Sequence, residues 1–512
     1  MPNKPSRQLF AAGLLLMAVT CDAGCRTADS GGSVPPLSAQ GSASPATTTL
    51  QPVNRPPAQP PATSVIPAAY QVVENDSTPT SAAPPSPPLP EAGYPCDDDP
   101  FAGQHELDPD ALVAAVRERN PSLAAMSAAW QAAVERYPQA ISLEDPQLST
   151  AMGPGTFGDP NHDVAWMIEG SQKFPWPGKR DLRGQQAQAE ASAARRDLDD
   201  AEVRLVATTR LALWDYYLVR RQEELNAENR AAVGHFRETA QSKYRAGQVM
   251  QQDVLEADVE LAEMQRRQFE LSRMETVAVA RINTLLHRAA DHPLPPPPSR
   301  PPAVDSAPPP LAWLQQLAAE RRPDLAAIGA QLRAAQAAVD MAEREYYPDL
   351  DVVARYDGWW QKSDRQLAPL VGVNMNVPLN NCRREAAVRE ASAKVEQRRW
   401  EYESRLDEIH SEVQTAYAQL LETDKVLAVY RQTILPAARQ YLDSAQGNYT
   451  ANTLDFLHLI DAQRRLIQLR EQYEESLAER ERRWAELQRA VGGSWPPAAH
   501  LEAVPAPTSH AG

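Results

Sequence analysis

The sequence predicts a mainly α-helical fold with a small β part: two copies of a long α-helical hairpin, each preceded by two short strands. Three observations carry this expectation. An internal repeat spans most of the chain, two long runs are almost free of helix breakers, and four segments of six to eleven residues alternate apolar with polar side chains.

The repeat comes first because it sets the frame. Asn120-Pro121-Ser122-Leu123-Ala124-Ala125-Met126 recurs as Arg322-Pro323-Asp324-Leu325-Ala326-Ala327-Ile328, an offset of 202. Tyr244 to Glu256-Ala257 recurs as Tyr449 to Asp461-Ala462, an offset of 205. The expected organisation is a signal peptide over 1–25, either of lipoprotein type or a plain one that ends near cysteines, a Pro/Ser/Thr/Ala-rich tether over 26–100, and repeat 1 over 101–290. A Pro-rich linker over 291–310, repeat 2 over 311–490 and a tail over 491–512 follow. The tether is too poor in large apolar residues to offset the entropy of ordering it.

At the N-terminus Lys4 and Arg7 precede an apolar run from Leu9 to Val19, the layout of an export signal. Cys25 follows Ala23 and Gly24 as a lipoprotein processing site would require, with Asp22 in place of the usual Leu; Cys21 is the competing acceptor. Acylation at either would tether the chain to a membrane. The four cysteines, Cys21, Cys25, Cys96 and Cys382, show neither disulfide nor metal spacing.

From Gln185 through Asp291 there is no proline and glycine only at 234 and 247; from Asn381 through Ala490 the breakers are Pro436 and Gly447. These runs read as helices. In repeat 2 an apolar stripe of near-heptad spacing runs through Val388, Val395, Tyr402, Leu406, Ile409, Val413, Tyr417 and Leu420, and on to Leu427, Ile434 and Tyr441. Each run is broken once, at Arg245-Ala246-Gly247-Gln248 and at Thr450-Ala451-Asn452-Thr453. Gly247 and Asn452 align, and both residue types readily take φ > 0 at a helix end. Each copy therefore reads as an antiparallel hairpin with its turn at the tip.

The strands are expected at Gln147 to Met152, Val164 to Phe174, Leu350 to Gly358 and Val371 to Leu379. Aromatics flank them (Phe174, Trp176, Tyr346, Tyr347, Trp359, Trp360), as at membrane interfaces. No run of 18 apolar residues occurs, so any membrane span must be β. Four strands cannot close a barrel, and an open edge in lipid leaves backbone groups unpaired, so other subunits must complete the sheet.

At these residues the chain resembles a known family. The duplicated layout, the segment Phe174-Pro175-Trp176-Pro177-Gly178-Lys179-Arg180 and the Tyr-x-Ala-Gly and Tyr-x-Ala-Asn tips resemble TolC-like outer-membrane efflux proteins, over about 100 to 490. The Gly178-Lys179-Arg180 motif is most similar to the branch serving heavy-metal cation efflux. The resemblance implies a homotrimer with a shared twelve-stranded transmembrane barrel above a coiled-coil tunnel. It also implies outer-membrane lipid around the barrel, and partners in a periplasmic adaptor, docked at the tips, and an inner-membrane pump of the RND type. Asn380-Asn381-Cys382 departs from the glycines of many relatives and leaves that strand exit open.

Chemistry is sparse. Gly153 to Gly158 fits a dinucleotide fingerprint by letter, but Pro160 and Asn161 follow where a helix is needed. No cofactor, metal centre or enzymatic site is expected. The net charge of −16 argues against nucleic acid as a partner. Asp455, His458 and Asp461 follow the second tip at spacing three, and in a trimer would stack as acidic rings at the periplasmic gate. The plainer reading makes Asp455 and Asp461 cap and dipole partners of a helix start. For Lys179 and Arg180 the plainer reading is a basic pair snorkelling at the membrane boundary. A non-conducting, lipid-anchored coiled-coil protein of the envelope is the competing function, and it has no use for the four alternating segments.

Overall fold

The computed structural model describes residues 100–154, 166–301, 308–358 and 369–495. The cysteines at 21, 25 and 96, most of the 153–158 loop, and Trp359 and Trp360 lie outside the described residues.

Repeat 1 runs α1 (Pro109–Arg119), α2 (Pro121–Val134), α3 (Arg136–Ile141), β1 (Gln147–Met152), β2 (Trp166–Phe174), α4 (Lys179–Arg245) and α5 (Gln251–Leu285). Repeat 2 runs α6 (Leu311–Arg321), α7 (Pro323–Arg344), β3 (Leu350–Gly358), β4 (Leu370–Met375), α8 (Asn381–Val429), α9 (Leu435–Thr450) and α10 (Phe456–Val491). At 67 residues α4 is about 100 Å long at 1.5 Å per residue. Helix α8 passes into α9 through a five-residue π turn, Tyr430–Ile434, which the sequence reading missed. Its cause is Pro436: without an N–H, and with a ring that crowds the preceding turn, it forces the helix to widen there.

The repeat persists in tertiary contacts. Asn120 Nδ2 donates to the carbonyl of Leu285 at 2.9 Å, and Arg322 Nη1, in the aligned position, to that of Ala490 at 3.3 Å. Arg180 Nε donates to the carbonyl of Ile141 and Arg384 Nε to that of Glu345, both at 2.7 Å and both across 39 residues. A cluster around Leu314, Leu325, Ile409, Val413, Leu420 and Leu487 fills the middle of repeat 2, and one around Leu112, Val116, Leu213, Ile282 and Leu286 that of repeat 1. The stripe on α8 is buried only in part. Ile409, Val413 and Leu420 are in the core, whereas Tyr441, where the stripe continues on α9, is exposed.

The four strands form one antiparallel sheet in the order β1-β2-β3-β4. Strand β4 ends at Met375, short of the expected Leu379. Pro378 has no N–H for the ladder, and beyond Asn376, whose N–H reaches the carbonyl of Asp349 at 3.4 Å, the chain turns with Leu379 N–H bonded back to Val377. Strand β2 is described from Trp166; Val164 and Ala165 lie outside the described residues.

Candidate functional site

The register divides the sheet into two chemically distinct faces. Leu148, Met152, Trp166, Ile168, Val352, Tyr356, Val371, Val373 and Met375 fall on one face, because Met152 pairs with Trp166, Ile168 with Tyr356, and Val352 with Val373. Gln147, Ser149, Glu169, Lys173, Asp351, Arg355, Asp357 and Asn374 fall on the other. Aromatic pairs mark both ends of the apolar face: Trp166 lies 5.5 Å from Tyr356 at one end, and Trp176 stacks on Tyr347 at 5.4 Å at the other. One face thus suits hydrocarbon and the other water.

Below the sheet, Gly178, Lys179 and Arg180 do not snorkel. Gly178, at φ 90°, turns the chain into α4, a conformation that costs any other residue. Lys179 is fully buried, with Nζ 2.9 Å from Asp349 Oδ1, 3.1 Å from the carbonyl of Tyr347 and 3.6 Å from Glu345 Oε2. It pins repeat 1 to repeat 2. Burial opposes ionisation of Asp349, but the hydrogen bonds from Lys179 and from Trp176 N–H outweigh it and hold the carboxyl below its usual range.

The tips share one geometry. Gly247 N–H bonds to Tyr244 O and Gln248 N–H to Lys243 O, both at 2.9 Å; Asn452 N–H bonds to Tyr449 O and Thr453 N–H to Asn448 O, at 3.1 and 3.0 Å. Gly247 has φ 70° and Asn452 φ 59°. Both turns are Schellman closures, in which a left-handed residue lets two N–H groups cover the last carbonyls. Arg245, Ala246, Gln248, Thr450, Ala451 and Thr453 are all exposed.

The tips are joined by a residue that the sequence reading passed over. Lys243 Nζ donates to Asn452 Oδ1 at 2.7 Å and to the carbonyl of Tyr449, and sits 4.2 Å above the Tyr449 ring. No local pattern singles out this lysine, because its partners lie more than 200 residues away. Arg245, beside it in the first tip, makes no ion pair among the described residues.

Asp455, His458 and Asp461 share the exposed side of α10, while Phe456, Leu459 and Ile460 face the core. Asp455 occupies the N-cap position, yet its side chain makes no capping hydrogen bond. Asp461 lies 3.5 Å from Arg464. Asp253, at the start of α5, has its carboxyl pushed up by burial and then by the negative charge of Asp455. Among the described residues no group of three His, Cys, Asp or Glu side chains is arranged to hold a metal ion, and no helix is long and apolar enough to cross a membrane.

Comparison with known proteins bears on the whole of this arrangement. The model of the family described as "Outer membrane efflux protein" matches residues 314–493. The cobalt-zinc-cadmium resistance protein CzcC of Cupriavidus metallidurans is 29% identical over 173 residues. That match covers 33% of this chain and 40% of the relative, so it spans well under half of that protein. Among solved structures, the outer-membrane channel OprN superposes with a TM-score of 0.63 at 20% identity, covering 78% of this chain and 96% of that one. CusC gives 0.66 at 16% identity, covering 81% and 100%. The open state of the MtrE outer membrane channel of Neisseria gonorrhoeae gives 0.62 at 17%, covering 75% and 89%. The fold is that of these solved outer-membrane channels, and residues 314–493 are similar to the outer membrane efflux protein family.

Proposed function

We propose that the chain is one protomer of a homotrimeric outer-membrane efflux channel, a conduit and not an enzyme. The observation that carries this reading is the four-stranded sheet with one apolar face, one polar face and two unpaired edges, β1 and β4. Such edges cannot stay open in lipid. Three copies give twelve strands, which close a barrel with the apolar face toward hydrocarbon and Glu169, Lys173, Asp351 and Arg355 toward the lumen. The long hairpins continue the duct into the periplasm. The tips around Gly247 and Asn452 dock a periplasmic adaptor, which links the duct to an inner-membrane pump of the RND type. Acylation of Cys25, or Cys21, anchors the N-terminus.

The cargo class follows from CzcC, named for cobalt, zinc and cadmium resistance, and from the acidic tip. Asp455, His458 and Asp461 repeated by threefold symmetry concentrate negative charge at the periplasmic end, where the local field draws cations. Asp455 makes no capping bond, so its carboxylate is left for that role. Lys243 keeps the two tips of one protomer together while the gate is closed.

The test is single-channel recording in planar bilayers with wild type and Asp455→Ala. The reading expects cation preference in the wild type and a lower preference, with longer openings, in the variant. Conductance, preference and open probability all unchanged would reduce Asp455 to a helix-start residue, and no conductance in either protein would leave the envelope coiled-coil reading standing.

A further inference from the structure

The contacts between the repeats within one chain specify those between neighbouring copies. The two halves map onto each other residue by residue. The pair Gln147 and Ser171 corresponds to Asp351 and Asn374, so β1 shifts onto β3 by 204 (351 less 147) and β2 onto β4 by 203 (374 less 171). These shifts keep apolar residues on the apolar face. They also align Phe174-Pro175 with Val377-Pro378 and, after one extra residue in repeat 2, Lys179-Arg180 with Arg383-Arg384.

Within the chain, repeat 1 grips repeat 2 through β2 on β3, α4 on α7, Trp176 on Tyr347 and Lys179 on Asp349. The complementary set, repeat 2 gripping a repeat 1, is unmade. Helix α7 is held between α4 and α8, but its counterpart α2 packs on α4 and α3 and is largely exposed. Arg383, the counterpart of Lys179, is exposed without an ion pair among the described residues, and so is Asp145, the counterpart of Asp349. Leu379 and Leu143, the counterparts of Trp176 and Tyr347, are 84% and 38% exposed.

We infer that a second copy of this chain completes the set: β4 of one protomer pairs with β1 of the next, Leu379 packs on Leu143, and Arg383 forms an ion pair with Asp145 across the junction. This rests on the trimer reading and adds its register. Carrying the β2–β3 pairs Ile168 with Tyr356 and Ser171 with Val353 through the two shifts sets Val371 opposite Met152 and Asn374 opposite Ser149. Apolar meets apolar and polar meets polar, and a slip of one residue would put Asn374 against an apolar-face position. Opposite charges at 383 and 145 fix the same register from outside the sheet.

The experiment uses the full chain with Cys382→Ser and asks two questions of one preparation. Asn374→Cys with Ser149→Cys places two thiols on directly opposed strand positions, within disulfide reach. In one protomer these positions lie on opposite edges of the sheet, roughly three strand spacings apart, about 14 Å, so a disulfide between them joins two chains. On mild oxidation the double variant should run as covalent trimer on a denaturing gel, while Asn374→Cys with Thr150→Cys, whose side chains point to opposite faces, should stay at least tenfold less linked. Arg383→Glu and Asp145→Arg should each lower the temperature at which the detergent particle dissociates, and their combination should restore it. A trimeric particle that links equally through position 150, or whose stability ignores both reversals, overturns the register and leaves the trimer; a monomeric particle by mass overturns both.

Discussion

Lys179 and Arg383 stand at the same point of the two repeats and meet opposite surroundings. The lysine lies fully buried against Asp349, Glu345 and a carbonyl; the arginine lies in the open. The same contrast separates α7, held between α4 and α8, from α2, which packs on α4 and α3 and is largely exposed. The building block is shared, and the difference is whether a neighbour is present. On the proposed trimer the buried half of each pair is a template for the exposed half, and Arg383 and Leu379 are positions that the next protomer would cover.

The largest expected effect comes from the aligned positions Arg322 and Asn120. Arg322 is 4% exposed and joins Asp324, Glu412 and the Ala490 carbonyl, so Arg322→Ala leaves two half-buried carboxylates to Arg405 and should destabilise by about 3–4 kcal/mol. Asn120 makes a neutral cap to Ser122 N–H, and Asn120→Ala should cost about 1 kcal/mol. Thermal unfolding of the two variants checks the ratio, and equal losses would mean that the charge network at Arg322 is not what holds that joint.

Lys179→Met should follow at about 3 kcal/mol, because Asp349 keeps only the Trp176 N–H as partner. Arg383→Met should leave the protomer fold unchanged and loosen the oligomer. Dissociation and unfolding, measured separately by native mass and circular dichroism, distinguish these outcomes. At the tips, Gly247→Ala forces a Cβ into φ 70° and should cost about 1 kcal/mol. Asn452→Gly should be neutral for folding, since glycine takes φ 59° without strain, while removing the Lys243 bond should raise the rate of channel opening.

The smallest effect is a pH dependence. The Asp349 carboxyl titrates below 3.8 when folded, so its pairing contributes stability that is complete above that value and is lost as pH falls through the lowered one. Asp324, where the Arg322 and Arg405 bonds outweigh burial, behaves alike. Unfolding temperatures should therefore drop more between pH about 4 and about 2 in the wild type than in Asp349→Asn; equal drops would remove Lys179 and Asp349 from the acid response.

Much of the fold was readable before any coordinates. Local chemistry made the tips legible, since a glycine and an asparagine recur where a helix must end in the left-handed region, and period-two alternation marked all four strands. The burial of Lys179 was not legible, because its partners sit about 170 residues on and a basic pair after a strand looks the same whether it faces lipid or a carboxylate. Lys243 was missed for the same reason. Strand β4 was drawn too long because the alternation of Val377 and Leu379 continues past the residue where Pro378 ends the ladder. Asp455, His458 and Asp461 are exposed around the start of α10, and spacing alone could not say that Asp455 forgoes its capping bond.

The most direct test of the channel reading is a density map of the detergent-solubilised particle. The account predicts three copies around one axis, with β4 of each against β1 of the next in a closed ring of twelve strands and the Asp455 carboxylates converging at the far end. A single copy, or an assembly whose β1 and β4 edges stay unpaired, would contradict it.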